Sequence, residues 1–127
     1  MTKRCYSLML GDTEYRLRLT MAGQRALKER WGEDILPFLF SAATDAEKFC
    51  ALLTQCLCWA GNDNPITDGE ELYDRMVDEQ WQGQEAFAGL IFQLAVVSGL
   101  LNQAQAETLN AAVQKAYRHA FDALEEA

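Results

Sequence analysis

Cys5-Tyr6-Ser7-Leu8-Met9-Leu10-Gly11-Asp12-Thr13-Glu14-Tyr15-Arg16-Leu17-Arg18-Leu19-Thr20 is the stretch on which the fold turns. Two short runs, Cys5 to Leu10 and Tyr15 to Leu19, flank Gly11-Asp12-Thr13-Glu14, whose glycine and aspartate supply turn chemistry, so the segment predicts a β-hairpin. In the second run Tyr15, Leu17 and Leu19 alternate with Arg16 and Arg18, the period of a strand with one dry and one wet face. A lone hairpin is marginal in water, so the dry face must lie on helices.

The rest of the chain supplies them. Thr20 stands as an N-cap ahead of Met21 to Trp31, and Gly32 is a natural stop. Between Glu33 and Ala43 an apolar run is interrupted by Pro37, which fits either a short helix starting near the proline or an irregular loop. Thr44 with Glu47 makes a capping box before a helix whose stripe is Phe49, Leu52, Leu53, Cys56 and Ala60, ending at Gly61. Asn62 to Pro65 is a loop, and a second capping box, Thr67 with Glu70, opens a helix with Leu72, Tyr73, Met76 and Val77 on its apolar side.

Trp81 to Gln84 predicts a break before a helix from Glu85 to Ser98 that is apolar nearly all round, which places it centrally. After Asn102, the stretch from Gln103 to Leu124 carries Leu109, Val113, Ala116, Tyr117, Ala120 and Leu124 at helical spacing. The expected architecture is mainly α (α+β), an N-terminal hairpin packed on about four to six helices. It is one domain over residues 1–127: hairpin 5–19, helical core 20–101, C-terminal amphipathic helix 103–124.

Composition narrows the function. The 19 acidic against 11 basic residues give a net charge of −8, which repels a phosphate backbone and argues against nucleic acid as partner. Ala86 to Leu101 is the most apolar segment, but it falls short of the roughly 20 residues that span a bilayer, so no membrane partner is expected. The residues after the basic start form no secretory apolar region, and Cys5, Cys50, Cys56 and Cys58 therefore read as reduced thiols in a cytoplasm.

No chemistry converges. Cys56 and Cys58 sit roughly 200° apart around a helix and cannot share a metal. His119, beside Lys115 and Asp122, is on a polar face; Ser7, Ser41 and Ser98 lie in no nucleophile elbow; Pro65-Ile66 interrupt the acidic loop after Asn62 that would otherwise suggest calcium. The expectation is a protein with no catalytic, cofactor or metal site that works by binding. Trp31, Phe38, Phe40, Trp59 and Trp81 fall at helix ends or in the Pro37 segment. They read either as inter-helix packing or as an apolar patch for a partner chain or a second copy.

Tyr6-Ser7-Leu8-Met9-Leu10-Gly11, then Tyr15-Arg16-Leu17-Arg18-Leu19-Thr20 feeding a helix that ends Trp31-Gly32, resembles the opening of small tail assembly chaperones of long-tailed bacteriophages and prophages. Ile66-Thr67, Glu71-Leu72-Tyr73-Asp74-Arg75-Met76-Val77-Asp78-Glu79 and Leu94-Ala95-Val96-Val97-Ser98-Gly99-Leu100 are similar to the middle and end of those proteins. The match runs from Tyr6 to Leu101, and the helix after Asn102 is outside it. The resemblance implies a chaperone that coats the tape measure protein, assists tail-tube subunits to polymerise around it in the host bacterial cytoplasm, and is absent from the mature virion. A structural virion component, such as a head-to-tail connector or completion protein that closes into a ring, and a small adaptor from a mobile element are the competing expectations.

Overall fold

The structure, a computed structural model, describes residues 4–60, 63–81 and 83–126. In chain order these form β1 (Tyr6–Leu10), β2 (Thr13–Leu17), α1 (Met21–Trp31), α2 (Ile35–Ala42), α3 (Ala46–Leu57), α4 (Gly69–Asp78), α5 (Gly83–Val97) and α6 (Gln103–Glu126). The α+β architecture read from the sequence, a hairpin on a helical bundle, is the one found.

The hairpin is tighter than expected. Leu10 pairs with Thr13, so only Gly11 and Asp12 form the turn. Gly11 takes φ 59°, the positive value that a two-residue turn with glycine in first position requires. Leu8, Leu10, Tyr15 and Leu17 are buried while Ser7, Met9, Glu14 and Arg16 face out, which is the wet and dry alternation of the sequence. β2 stops at Leu17 because other partners take over the backbone: Arg18 N–H donates to the Cys56 carbonyl at 3.1 Å, and Leu19 N–H to Ser98 Oγ at 2.9 Å.

Thr20 caps α1 as read, its hydroxyl accepting from Gly23 N–H at 3.2 Å, and Gly32 closes the helix at φ 71°. The Pro37 segment is a helix, α2, with the proline in its first turn, where a missing N–H leaves no bond unmade. Both expected capping boxes are displaced by one residue. Asp45, not Thr44, caps α3, its carboxylate accepting from Glu47 and Lys48 N–H; the Thr44 hydroxyl donates back to the Ser41 carbonyl. Asp68, not Thr67, caps α4. An aspartate one residue later offers the stronger acceptor to the same amides.

α3 ends at Leu57, a turn earlier than expected, so Ala60 is not on its stripe; the expected stop Gly61, with Asn62, lies outside the described residues. α5 starts at Gly83, two residues before the expected Glu85, while Gln82 of the expected break lies outside the described residues. The break itself is made by Gln80, which adopts φ 68°. Asn102 begins α6 through a reciprocal cap that the sequence reading passed over: its Oδ1 accepts from Gln105 N–H, and Gln105 Oε1 accepts from Asn102 N–H.

α3 is the hub. It packs against α1, α2, α4 and β2, and Phe49, Leu52, Leu53 and Cys56 are all buried. α4 comes close to it because Gly69 has no side chain: a Cβ there would stand 2.0 Å from the Cys50 carbonyl oxygen. α5 lies between α6 and β1 with Ala88, Leu90, Ile91, Phe92, Leu94, Ala95 and Val96 buried, the central helix its composition implied. Leu109, Val113 and Tyr117 of α6 pack on the core, but the stripe then leaves it. Ala116, Ala120 and Leu124, expected inside, are exposed, Leu124 at 71%, and so is Val77 on α4.

Candidate functional site

The five aromatic residues singled out by the sequence do not form one patch. Phe38 is 1% exposed and Trp59 is 7% exposed, so neither offers a binding surface. Phe38 fills the core beneath Trp31, and Trp59 anchors the hairpin by donating Nε1–H to the Arg16 carbonyl at 3.1 Å. Their rings follow the packing reading because each sits at a junction where two elements close over it.

Trp31 is half-buried at the end of α1. The Arg30 guanidinium lies 4.8 Å from its ring and the Lys48 ammonium 5.5 Å from it, both in cation–π range. Lys48 also donates to both Glu33 carboxylate oxygens, at 3.1 and 3.0 Å, and to Ser41 Oγ at 3.0 Å, which ties α3 to the α1–α2 loop and to α2. The Trp31 Nε1–H is buried with no partner among the described residues. Phe40 is the one of the five that is exposed, at 42%, its edge against Phe92.

Trp81 belongs to a cluster that the sequence reading did not assemble. It stacks on Phe87 at 6.2 Å; Phe87 in turn lies 5.4 Å from Tyr73 and 5.1 Å from Phe49, and Phe49 lies 6.0 Å from Tyr73. Four rings from α3, α4, α5 and the α4–α5 corner thus meet. Three of them, Phe49, Tyr73 and Phe87, line a cavity of about 270 Å³ at the α2–α3 corner together with Ala42, Ala43, Thr44, Asp45, Ala46 and Gly83. The rings and alanines offer contact to an apolar side chain, and Thr44 and Asp45 set polar groups beside them.

The rim of this cavity is tied to α6. The Tyr117 hydroxyl donates to the Ala43 carbonyl at 3.2 Å, and burial first, then the nearby charge of Glu85, raises its pKa above the ordinary phenol value. One and two turns further along α6, Phe121 and Leu124 are exposed. Leu36 and Phe40 are the exposed apolar residues of α2.

No family model, curated protein or solved structure matches this chain.

The thiols are dispersed. Cys56 is fully buried, which pushes its pKa up; Cys50 is half-buried and pushed up to about 11, chiefly by burial and then by Glu70, Asp74 and Asp68. Cys58 is exposed, with Sγ 3.4 Å from the Thr67 carbonyl oxygen. His119 is exposed on α6. Among the described residues no group of three or more His, Cys, Asp or Glu is placed to hold a metal ion, and no helix is long and apolar enough to cross a membrane.

Proposed function

We propose that this chain is a tail assembly chaperone of a long-tailed bacteriophage or prophage. It binds apolar helices of the tape measure protein, keeps that protein soluble in the host bacterial cytoplasm, and releases it as tail-tube subunits polymerise around it, leaving none of itself in the virion. The identity of the client rests on the resemblance between Tyr6 and Leu101. The observation that carries the binding mode is the cavity at the α2–α3 corner, lined by the rings of Phe49, Tyr73 and Phe87 and by Ala42, Ala43 and Ala46, with Thr44 and Asp45 beside them. An amphipathic client helix offers one large apolar side chain to such a receptacle and lays its neighbours on the exposed apolar residues of α2 and α6. The net charge of −8 favours the solubility of the loaded chaperone.

Co-expression with the longest neighbouring tail gene product tests this. The chain raises the soluble yield of that product and co-purifies with it, and Thr44→Trp, at the cavity rim, lowers the recovered complex about tenfold without altering the circular dichroism of the free chain. If the chain neither solubilises nor retains that product and assembles alone into closed rings, it is a connector component instead.

A further inference from the structure

The two edges of the hairpin differ. In the observed register Arg16 opposes Ser7. Arg16 points its backbone groups away from β1: its N–H donates to Asn64 Oδ1 at 2.7 Å, and its carbonyl accepts from Asn64 Nδ2 at 2.8 Å. Arg18, two residues on, likewise turns its N–H outward to Cys56. The outer edge of β2 is therefore covered. By the alternation of an antiparallel ladder, Ser7 and Met9 turn their N–H and carbonyl groups outward on the opposite edge, that of β1. No partner for these groups is present among the described residues, and both residues are exposed, Met9 at 54%.

β1 carries none of the charge, proline or bulge protections of a free edge. Tyr6-Ser7-Leu8-Met9-Leu10 contains no charge and no proline, and it pairs without a bulge. Beside it lies an open groove bordered by Tyr6, Glu79, Trp81, Ala86, Gly89 and Gln93, where a Cβ on Gly89 would meet nothing within 4 Å.

We propose that this edge is the interface with a second copy of the chain. The two β1 strands pair antiparallel about a two-fold axis at Leu8, giving a continuous four-stranded sheet. In that register Ser7 of each copy bonds opposite Met9 of the other, satisfying the outward groups of both. The same register brings Arg4 of each copy opposite Asp12 in the turn of the other. Both residues are exposed, and neither has an ion-pair partner among the described residues, so the ends of the seam are complementary twice over. The uncharged strand lets two chains of charge −8 meet without like charges on the paired strands themselves. Because Asn64 occupies the far edge of β2, the sheet stops at four strands and the assembly is a closed dimer.

Sedimentation equilibrium of the full chain tests the proposal without reference to any client. The expected result is a monomer–dimer equilibrium, with amide exchange at Ser7 and Met9 slowing as the dimer fills. Ser7→Pro removes one outward N–H and leaves the ladder to β2 intact; it yields a monomer with unchanged circular dichroism. Met9→Lys gives the same loss should the proline perturb folding. Arg4→Glu weakens the dimer about tenfold, and Arg4→Glu with Asp12→Arg restores it. A chain that stays monomeric at all accessible concentrations overturns the proposal, as does a dimer indifferent to both Ser7→Pro and Met9→Lys. Failure of the double swap to restore Arg4→Glu overturns the register.

Discussion

The side-chain amide of Asn64 pairs with both backbone groups of Arg16, 48 residues away in sequence, as the next strand of a sheet would. Its Nδ2 also donates to the Leu57 carbonyl at 3.1 Å, so one side chain joins the β2 edge to the end of α3. Asn64→Ala removes three hydrogen bonds at a site that water reaches in part, and is expected to cost about 1–2 kcal/mol in urea unfolding. Amide exchange at Arg16 should quicken in that variant. Unchanged exchange there would mean that the amide does not protect the edge.

Gly69 sets the distance between α3 and α4. Its N–H donates to Thr54 Oγ1 at 2.8 Å, and an added Cβ would also meet Thr54 N at 2.7 Å. The clash is with backbone, which cannot swing aside, so Gly69→Ala is expected to destabilise by about 3 kcal/mol in spite of the better helix propensity of alanine. A thermal midpoint at or above that of the parent chain would refute the close approach.

The thiols should separate by reagent kinetics. Cys58 is exposed and reacts first with a small disulfide probe; Cys56 reacts only when the chain unfolds. Cys50, pushed up to about 11, reacts slowly near neutral pH, and its rate keeps rising with pH toward 11, after an ordinary thiol with its value near 9 has levelled off. The linkage has a definite sign. Above the unfolded thiol value near 9 and up to about 11 the folded state holds a proton that the unfolded state has lost, so the contribution of Cys50 to stability falls as pH rises through that window. Cys50→Ser should flatten this alkaline loss, measured as the urea midpoint between pH 8 and pH 11.

Phe121 and Leu124 separate binding from folding. Both are exposed, at 57% and 71%, so Phe121→Ser with Leu124→Ser should leave stability within about 0.5 kcal/mol. The same double variant should lower the soluble yield of a co-expressed tape measure protein. A yield unchanged from the parent would remove the C-terminal end of α6 from the client surface.

Much of the fold was legible because it is local. The alternation of Tyr15, Leu17 and Leu19 with Arg16 and Arg18, the hydroxyl of Thr20 and the positive φ available to Gly32 act within a few residues, and chain neighbours alone decide them. Caps are already less local. Thr44 and Asp45 are both competent, and the α2–α3 corner chose by turning the Thr44 hydroxyl toward Ser41 and leaving the Asp45 carboxylate to two free amides.

The candidate site was not legible for a different reason. Phe49, Tyr73 and Phe87 each read as ordinary stripe residues of separate helices, because a stripe shows that a side chain is turned inward but not which ring it will meet. Phe38 and Trp59 looked available only because helix-end position says nothing about what closes over it. So the chain by itself determined a hairpin on amphipathic helices in an acidic body, since period, caps and charge are properties of neighbours. The aromatic-lined cavity, the covered β2 edge and the open β1 edge were decided by tertiary structure, because each requires residues tens of positions apart to arrive at the same place.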